Sequence, residues 1–344
     1  MSGNAIKSPV VTLTPAPTLD RTYFVGTLER GAVNRAKSVG EELAGKGINV
    51  SRALQLAGIA APGVVPIGNA EAGILERTGS KSFLLPLWID GTIRVSTTIL
   101  EDDGGTTKIN EAPKPLTAQE WQRVIELTEQ TVIENGASWL VIAGALPIDQ
   151  STGTFVDLHP IFDRMRELGV RVALDTSGEP LAYWVRQGKA AILKPNAEEL
   201  ASAVGRSLLT NGDVIQGARE LCDHGVECVL ASLGSDGMLA VTKNRAWGTK
   251  TTPVKVINTV GAGDATLAGF LSAIALNPLT DGDEDFGVEF NVPLGAQRAV
   301  QWGAAKVTQA TSRLDNINNL AEVFLTEDVD LQAPLKEPAI HKEN

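Results

Sequence analysis

Short apolar segments rich in β-branched residues alternate along this chain with amphipathic helical patterns, and this alternation constrains the fold more than any other feature. The apolar segments predict strands that are buried on both faces, because continuous apolar runs of this length are typical of parallel sheets. They are Val10–Leu13, Trp139–Gly144, Arg171–Asp175, Ala190–Pro195 and Glu227–Ser232. Strands joined by helices form right-handed βαβ units, so the sequence predicts an α/β fold with a mostly parallel central sheet and helices on both faces.

Two regions depart from this alternation. Residues 21–42 and 88–110 alternate polar and apolar side chains and contain turn-forming residues, but no helical pattern lies within them. They predict the strands of a small, half-exposed second sheet. We therefore expect one domain over residues 1–325 that includes this small sheet, followed by a polar C-terminal tail, loosely attached, over residues 326–344.

The charge of the chain limits its partners. The net charge is −11, from 41 acidic and 30 basic residues, and such a field repels nucleic acids and anionic membranes. The two cysteines and three histidines form no recognisable zinc or iron motif. Because we find neither a leader pattern nor an apolar run approaching about 20 residues, we expect a cytoplasmic protein that binds neither nucleic acid nor membrane.

The stretch NTVGAGDATLAGF, Asn258–Phe270, places glycines and an aspartate where a strand-like segment turns into a helix. Backbone N–H groups at a helix start bind anions, so Gly261, Ala262 and Gly263 predict a nest for a phosphoryl group. A carboxylate there would repel the anion unless it serves the chemistry. We interpret Asp264 as the general base that takes the proton of an acceptor hydroxyl, with simple helix capping as the alternative.

Two further strand ends suit a nucleotide. Lys194 ends one strand, and Asn196 and Glu199 follow it where they can hold the phosphates and a hydrated magnesium ion, Glu199 through water. The alternative is that both residues only cap the next helix. The segment SLGSDG, residues 232–237, can wrap phosphates or ribose, or form a tight hairpin. Together with the nest, these turns predict a site for a nucleotide with its magnesium ion.

Two other motifs are incomplete. Residues 40–46 fit the first seven positions of a Walker A loop, but at the eighth position Gly47 replaces the hydroxyl residue that binds magnesium. Gly261 and Gly263 start a dinucleotide fingerprint, but Thr266 replaces its third glycine. We therefore predict neither a P-loop nor a nicotinamide site. Gly45 and Gly47 instead indicate a close approach of the backbone to a ligand, with a plain strand-to-helix turn as the alternative.

The motifs AGKGINVSRAL (Ala44–Leu54) and NTVGAGDATLAGFL (Asn258–Leu271) together resemble the two signature motifs of the ribokinase-like, or PfkB, carbohydrate kinases. Their order and separation match, and with LTPAPTLDRTY, INEAP, GALP and LKPNAEEL the resemblance spans about residues 10–312. The chain is most similar to the branch of 1-phosphofructokinases and tagatose-6-phosphate kinases. The resemblance implies an ATP- and Mg²⁺-dependent kinase that converts fructose 1-phosphate to fructose 1,6-bisphosphate.

The resemblance also assigns roles to individual residues. Arg94 would reach from the small sheet to the phosphate that the substrate already carries, and Asp264 would be the base beside an anion hole at Gly261 and Gly263. The small sheet would act as a lid and as the interface of a homodimer. The sugar pocket would be lined by Asp20, Gly45, Lys46 and Asn49, and ATP with its magnesium would be bound by Lys194, Asn196, Glu199, Ser232, Gly234 and Gly237.

Three alanines depart from the usual pattern of the branch. Ala16 replaces an asparagine, Ala44 replaces a glycine, and Ala145 in GALP lacks the hydroxyl of the usual GSLP. These changes leave the implied kinase core intact but leave the sugar phosphate open. Tagatose 6-phosphate or another sugar is one alternative substrate, and a catalytically idle sugar-phosphate sensor on the same fold is an alternative function.

Overall fold

The structure is a computed structural model that describes residues 8–276 and 290–341. Within these residues a ten-stranded sheet forms the centre of the fold. Its strands, in chain order, are β1 (Val10–Leu13), β4 (Gly63–Gly68), β5 (Leu84–Ile89), β8 (Trp139–Ala143), β9 (Arg171–Asp175), β10 (Ile192–Leu193), β12 (Cys228–Ser232), β13 (Met238–Val241), β14 (Ala246–Thr251) and β15 (Val323–Thr326).

The strands of this sheet lie in the order β15-β14-β13-β12-β10-β9-β8-β1-β4-β5. Every neighbouring pair from β12 to β5 is parallel. Beyond β12 the sheet continues with antiparallel pairs through β13, β14 and β15. The five segments predicted as buried strands all lie in the parallel part, and the predicted α/β class with a mostly parallel sheet is confirmed.

Helices cover both faces of this sheet. In β8, Trp139 and Val141 pack against one set of helices, while Leu140 and Ile142 pack against the other set. This alternation follows from the two-residue period of a strand. The first face carries α1 (Lys46–Leu56), α8 (Ala262–Ile274) and α9 (Val292–Val307), and the second carries α3 (Ala118–Asn135), α4 (His159–Glu167), α5 (Gly178–Gln187), α6 (Ala197–Val204) and α7 (Asn211–Asp223).

A smaller cluster of buried side chains lies beside this core and includes residues of the short helix α2 (Ile74–Arg77). None of the described helices combines the length and the apolar character needed to cross a membrane.

A second sheet is built from the two regions that depart from the strand–helix alternation. It contains β2 (Thr18–Val25), β3 (Ser38–Ala44), β6 (Arg94–Glu101) and β7 (Thr106–Asn110) in the order β3-β2-β6-β7. The pair β2 and β6 is parallel, and the other two pairs are antiparallel. Residues 84–89 belong instead to the edge of the large sheet as β5, so the second region contributes to the small sheet only from residue 94.

The register of the small sheet gives its two faces different chemistry. On one face Asp20, Glu42 and Ser96 are neighbours across the strands, and Arg94 and Lys108 lie on the same face. On the other face Tyr23, Val39 and Ile99 are neighbours, and Ile109 lies one row away, beside Thr97. The first face is polar and charged, whereas the second is mainly apolar and also carries the Arg21–Glu41 ion pair.

The connections of the large sheet create a crevice. From β1 the chain adds β4 and β5 on one side, then returns to add β8, β9, β10 and β12 on the other side. The direction of winding therefore reverses between β1 and β8, and in open α/β sheets the carboxyl ends of strands at such a point form the ligand crevice.

The segment from Thr326 to His341 is not the loose tail that its polar composition predicts. The strand β16 (Pro334–Ala339) pairs with β11 (Leu208–Thr210) in an antiparallel arrangement. Leu335 and Ala339 are buried in the larger core cluster. The segment is attached because these two apolar side chains point inward, while Lys336, Glu337 and Pro338 between them stay at the surface.

Candidate active site

Charged side chains from three elements meet at the carboxyl edge of the large sheet. Asp175 is the last residue of β9, and Lys194 directly follows β10. Lys46 lies in the first turn of α1, and its Nζ is 2.8 Å from Asp175 Oδ1. Lys194 Nζ approaches the other oxygen, Oδ2, of the same carboxylate at 3.5 Å. Asp175 therefore joins two lysines that the sequence assigned to different ligands.

The Asp175 carboxylate stays ionised because of these lysines. It is 1% exposed, and burial disfavours its charged form, but the charges of Lys194 and Lys46 outweigh burial and lower its pKa. Burial likewise disfavours the charged form of Lys46, but Asp175 more than compensates and raises the pKa of Lys46. The group carries one excess positive charge, which suits an anionic ligand.

Asp264 lies in the first turn of α8, beside this group. It is 6% exposed, and its Oδ2 accepts a hydrogen bond of 2.8 Å from Nδ2 of Asn49 on α1. Burial first and the nearby charge of Asp175 second raise the pKa of Asp264 to about 6, against the opposing effects of Asn49 and the two lysines. A carboxylate with this pKa is ionised near neutral pH and can still accept a proton.

Gly261 is required by its surroundings, and Gly263 leaves room for the end of a lysine side chain. Gly261 caps α8 with a φ of 82°, and a Cβ there would lie 2.0 Å from the carbonyl oxygen of Ser312. A Cβ at Gly263 would lie 2.8 Å from Lys194 Nζ. The helix start is therefore a bare backbone surface with a lysine ammonium against it, which is the arrangement expected of a phosphate site.

Asn196 and Glu199 form a capping box at the start of α6. Asn196 Oδ1 accepts from the Glu199 backbone N–H at 2.8 Å, and Glu199 Oε2 accepts from the Asn196 backbone N–H at 2.9 Å. The capping alternative is therefore present in this structure. It engages one oxygen of the Glu199 carboxylate, whose charge also acts on Lys46.

The segment SLGSDG forms a tight hairpin, as the alternative interpretation holds. A 3-10 turn at Gly234–Asp236 joins β12 to β13. Gly237 has a φ of 91°, and a Cβ there would lie 2.1 Å from the carbonyl oxygen of Thr249, so packing excludes any side chain at position 237. The turn is supported from outside the hairpin, because Asp236 accepts a 2.8 Å hydrogen bond from the backbone N–H of Lys336 in β16.

The polar face of the small sheet holds the other predicted site residues. Asp20 on β2 has a pKa raised to about 6, chiefly by burial and then by Glu42. Among the described residues, its buried Oδ1 has no hydrogen-bond partner. Arg94 donates from NH2 to the carbonyl of Ala16 at 2.9 Å, and from Nε to that of Pro17 at 3.4 Å. These bonds fix the guanidinium against the segment that links β1 to β2.

An ionic cluster joins the small sheet to the loop that follows α9. Glu42 Oε1 forms ion pairs with NH1 of Arg52 at 2.6 Å and with NH1 of Arg313 at 2.7 Å. Arg313 is next to Ser312, whose carbonyl crowds Gly261. The small sheet is thus in contact with the chain that supports the start of α8.

Several residues at this edge were missed by the sequence interpretation. Asp175 ends a predicted strand but received no role, although a carboxylate at a strand end in the crevice is a usable signal. Thr14 and Thr176 follow β1 and β9, and within the described part of the chain their buried hydroxyl oxygens have no hydrogen-bond partner. Gly45 and Gly47 lie against Thr14. A Cβ at Gly45 would be 2.5 Å from Thr14 Cγ2, and a Cβ at Gly47 would be 2.5 Å from Thr14 Oγ1. Two buried threonine hydroxyls therefore lie directly after the carboxyl ends of β1 and β9.

Comparisons with known proteins agree with this arrangement. A family model described as pfkB family carbohydrate kinase matches residues 15–286. A 1-phosphofructokinase of Haloferax volcanii is 34% identical over 270 residues, which cover 77% of this chain and 83% of the relative. A 1-phosphofructokinase of Escherichia coli K12 is 32% identical over 282 residues, covering 78% and 84%.

Solved structures give the same result for the fold. Phosphofructokinase-2 from Escherichia coli in complex with fructose-6-phosphate superposes with a TM-score of 0.74 at 25% identity, covering 91% of this chain and 98% of that one. The tetrameric inhibited form of the same protein gives a TM-score of 0.75 at 25% identity, with the same coverage. The resemblance and the ribokinase-like fold predicted from the motifs are confirmed.

Proposed function

This chain belongs to the pfkB family of carbohydrate kinases, and we propose that it transfers the γ-phosphoryl group of ATP to fructose 1-phosphate, giving fructose 1,6-bisphosphate and ADP. One observation carries the proposal. A buried carboxylate with a raised pKa, Asp264, lies beside a bare helix start that a lysine ammonium contacts. This arrangement provides a proton acceptor and an anion site within one turn of helix.

The reaction needs few groups from the protein. The acceptor hydroxyl binds beside Asp264 and gives its proton to that carboxylate as its oxygen bonds to the γ-phosphorus. The bond between the γ-phosphorus and the β–γ bridging oxygen breaks, and ADP leaves with that electron pair. Negative charge on the transferring group is received by the backbone of residues 261–263 and by Lys194. Asn49 holds Asp264 in place through its 2.8 Å hydrogen bond.

The residues at this edge also fit a nucleotide with its magnesium. Glu199 uses Oε2 for capping, and its other carboxylate oxygen takes no part in the capping box. Magnesium binds nucleotide phosphates while keeping several waters, so Glu199 would hold it through water. Bound there, it would neutralise phosphate charge. Ser232, Gly234 and Gly237 would contribute the hairpin that borders the nucleotide.

The sugar phosphate would bind between the crevice and the polar face of the small sheet. Asp20 offers a buried carboxylate oxygen that has no hydrogen-bond partner within the described part of the chain, which suits a sugar hydroxyl. Arg94 uses three of the five N–H donors of a guanidinium on carbonyls of Ala16, Pro17 and Glu111, which leaves two for a phosphate. The choice of fructose 1-phosphate follows the relatives that are named 1-phosphofructokinase.

We also propose a homodimer formed through the apolar face of the small sheet. Val39 and Ile109 on this face are 50% and 60% exposed, although both are large apolar residues. A second copy of the same face would cover them, and the polar face would remain free to close over the sugar. A phosphofructokinase-2 of similar fold is described as tetrameric in its inhibited form.

A substrate panel tests the proposed function. ADP formation is measured with ATP and magnesium against fructose 1-phosphate, fructose 6-phosphate and tagatose 6-phosphate at matched concentrations. The expected result is the highest kcat/KM for fructose 1-phosphate. A higher kcat/KM for either 6-phosphate would reject the proposed substrate, and no ADP formation with a broader sugar panel would favour the idle sensor.

A further inference from the structure

A lysine that the proposed mechanism does not use is completely buried next to the nest. Lys306 lies in the last turn of α9 and is 0% exposed. Its Nζ donates a hydrogen bond of 3.1 Å to the backbone carbonyl of Asn258. Lysine is rarely buried unless its charge is paired, because removing an ammonium group from water is costly. The hydrogen-bond partner of Lys306 is a neutral carbonyl rather than a carboxylate, so ion pairing through this bond does not explain why the lysine is buried.

The carbonyl that Lys306 contacts belongs to the loop that leads into the nest. This loop is fixed to the end of α9 by backbone bonds from Ile257 and Asn258 to the Val307 carbonyl, at 2.7 and 3.1 Å. The Asn258 side chain donates from Nδ2 to the Ala310 carbonyl at 2.8 Å, and its Oδ1 accepts a hydrogen bond from the Val260 N–H at 2.9 Å. The loop therefore takes its position from α9 and from the turn that follows it.

The charge of Lys306 also lies close to the nest itself. A Cβ at Gly261 would be 3.5 Å from Lys306 Cε. Burial lowers the pKa of Lys306, while the charges of Asp315 and Asp264 oppose that change. A fixed cation at this place adds to the partial positive charge of the α8 start, and the sum acts on an anion bound there.

We propose that Lys306 is a positioning residue for phosphoryl transfer: its buried ammonium holds the Asn258 carbonyl, and through it residues 258–263, in the geometry that receives the γ-phosphoryl group. The inference rests on the assignment of residues 261–263 to that group in the proposed function. A neutral side chain of similar size would fill the same space at a lower desolvation cost, so packing alone does not account for a lysine here.

The first test replaces the charge and keeps the volume. Lys306→Met is expected to fold with a melting temperature at or above that of the wild type, because it removes a buried charge. Its kcat should fall at least about tenfold, while the KM for the sugar phosphate changes little, since loss of one donor in an anion hole costs about 10²- to 10³-fold and Lys306 acts on that hole indirectly. Lys189→Met, at the opposite edge of the sheet, is the matched control and should keep its kcat.

The second test restores the charge from solution. Lys306→Ala leaves space for a small cation, so ammonium or methylammonium chloride should raise its kcat in a saturable manner, whereas choline chloride at equal ionic strength should not. Assays use the sugar phosphate that the wild type prefers, so an error in the proposed substrate does not affect them. If Asp264→Asn keeps full activity, the site assignment fails independently. A kcat of Lys306→Met within threefold of the wild type, or a loss in Lys306→Ala that ammonium does not reverse, would overturn the inference.

Discussion

Replacing Asp264 by asparagine separates catalysis from folding more sharply than any other single change in this chain. The amide keeps an oxygen that can accept the 2.8 Å hydrogen bond from Asn49, so the local geometry should survive. It removes only the basicity and the negative charge. General-base assistance contributes about 10²- to 10⁴-fold, and kcat of Asp264→Asn should fall by that order. ATP affinity should stay the same or tighten, because a negative charge next to the nest is lost.

The same variant should be more stable than the wild type at neutral pH. The pKa of Asp264 is raised from 3.8 to about 6, so keeping it ionised in the folded state opposes folding. A shift of this size corresponds to about 3 kcal/mol, since one pKa unit is worth about 1.4 kcal/mol. The stability advantage of Asp264→Asn should be complete above pH 6 and disappear as the pH falls toward 3.8, because Asp264 is then neutral in both states.

Three measurements on Asp264→Asn check this reasoning. Steady-state kinetics give kcat, calorimetric titration gives ATP affinity, and chemical denaturation at pH 8 and pH 4 gives the difference in free energy of unfolding. The wild-type kcat/KM should also decrease with an acid limb near pH 6. If the variant keeps kcat within about threefold of the wild type, the general-base role is refuted. If its stability equals that of the wild type at both pH values, the raised pKa is refuted.

Four further variants test the other parts of the site. Arg94→Ala should lower kcat/KM for the sugar phosphate, with a loss of transition-state stabilisation of about 2–4 kcal/mol, and should leave the KM for ATP unchanged. Equal effects on both substrates would remove Arg94 from the sugar site. Gly263→Ala should reduce kcat while the protein stays folded, because the new methyl displaces the flexible end of Lys194, and unchanged kinetics would argue against a phosphate at this helix start. Glu199→Gln keeps a capping oxygen but removes the negative charge. The magnesium concentration for half-maximal activity should therefore rise, while the melting temperature should change little. An unchanged magnesium requirement would leave Glu199 as a cap only. Val39→Asp should convert the proposed dimer to a monomer in light scattering, and a monomeric wild type would reject the interface.

The parts of the site that lie within one continuous stretch of sequence could be predicted. The nest and Asp264 occupy four consecutive residues, so their spacing on a helix start follows directly from the sequence. Asp175 was missed because its importance depends on Lys46 and Lys194, which lie on other elements. Lys46 is separated from it by 129 residues along the chain, and no local pattern joins them.

Two other differences have physical causes of the same kind. The strand β16 pairs with β11, more than 120 residues earlier, and its short polar sequence has no strand signal of its own. Asn196 and Glu199 match both a capping box and a nucleotide site, because carboxylate and amide oxygens at a helix start serve either purpose. The sequence could therefore identify the alternatives at this turn, and the structure shows that capping is one of them.

The way β16 supports the Gly234–Asp236 turn bears on when the protein becomes active during synthesis. The central strand β1 is made first, and the parallel sheet from β1 to β12 can form before β16 exists, since domains fold from the N-terminal side as they emerge. Asp236 gains its bond from Lys336 only when nearly the whole chain is present. On the proposed function, a nascent chain would therefore have its parallel sheet in place before the hairpin that borders the nucleotide is fully supported.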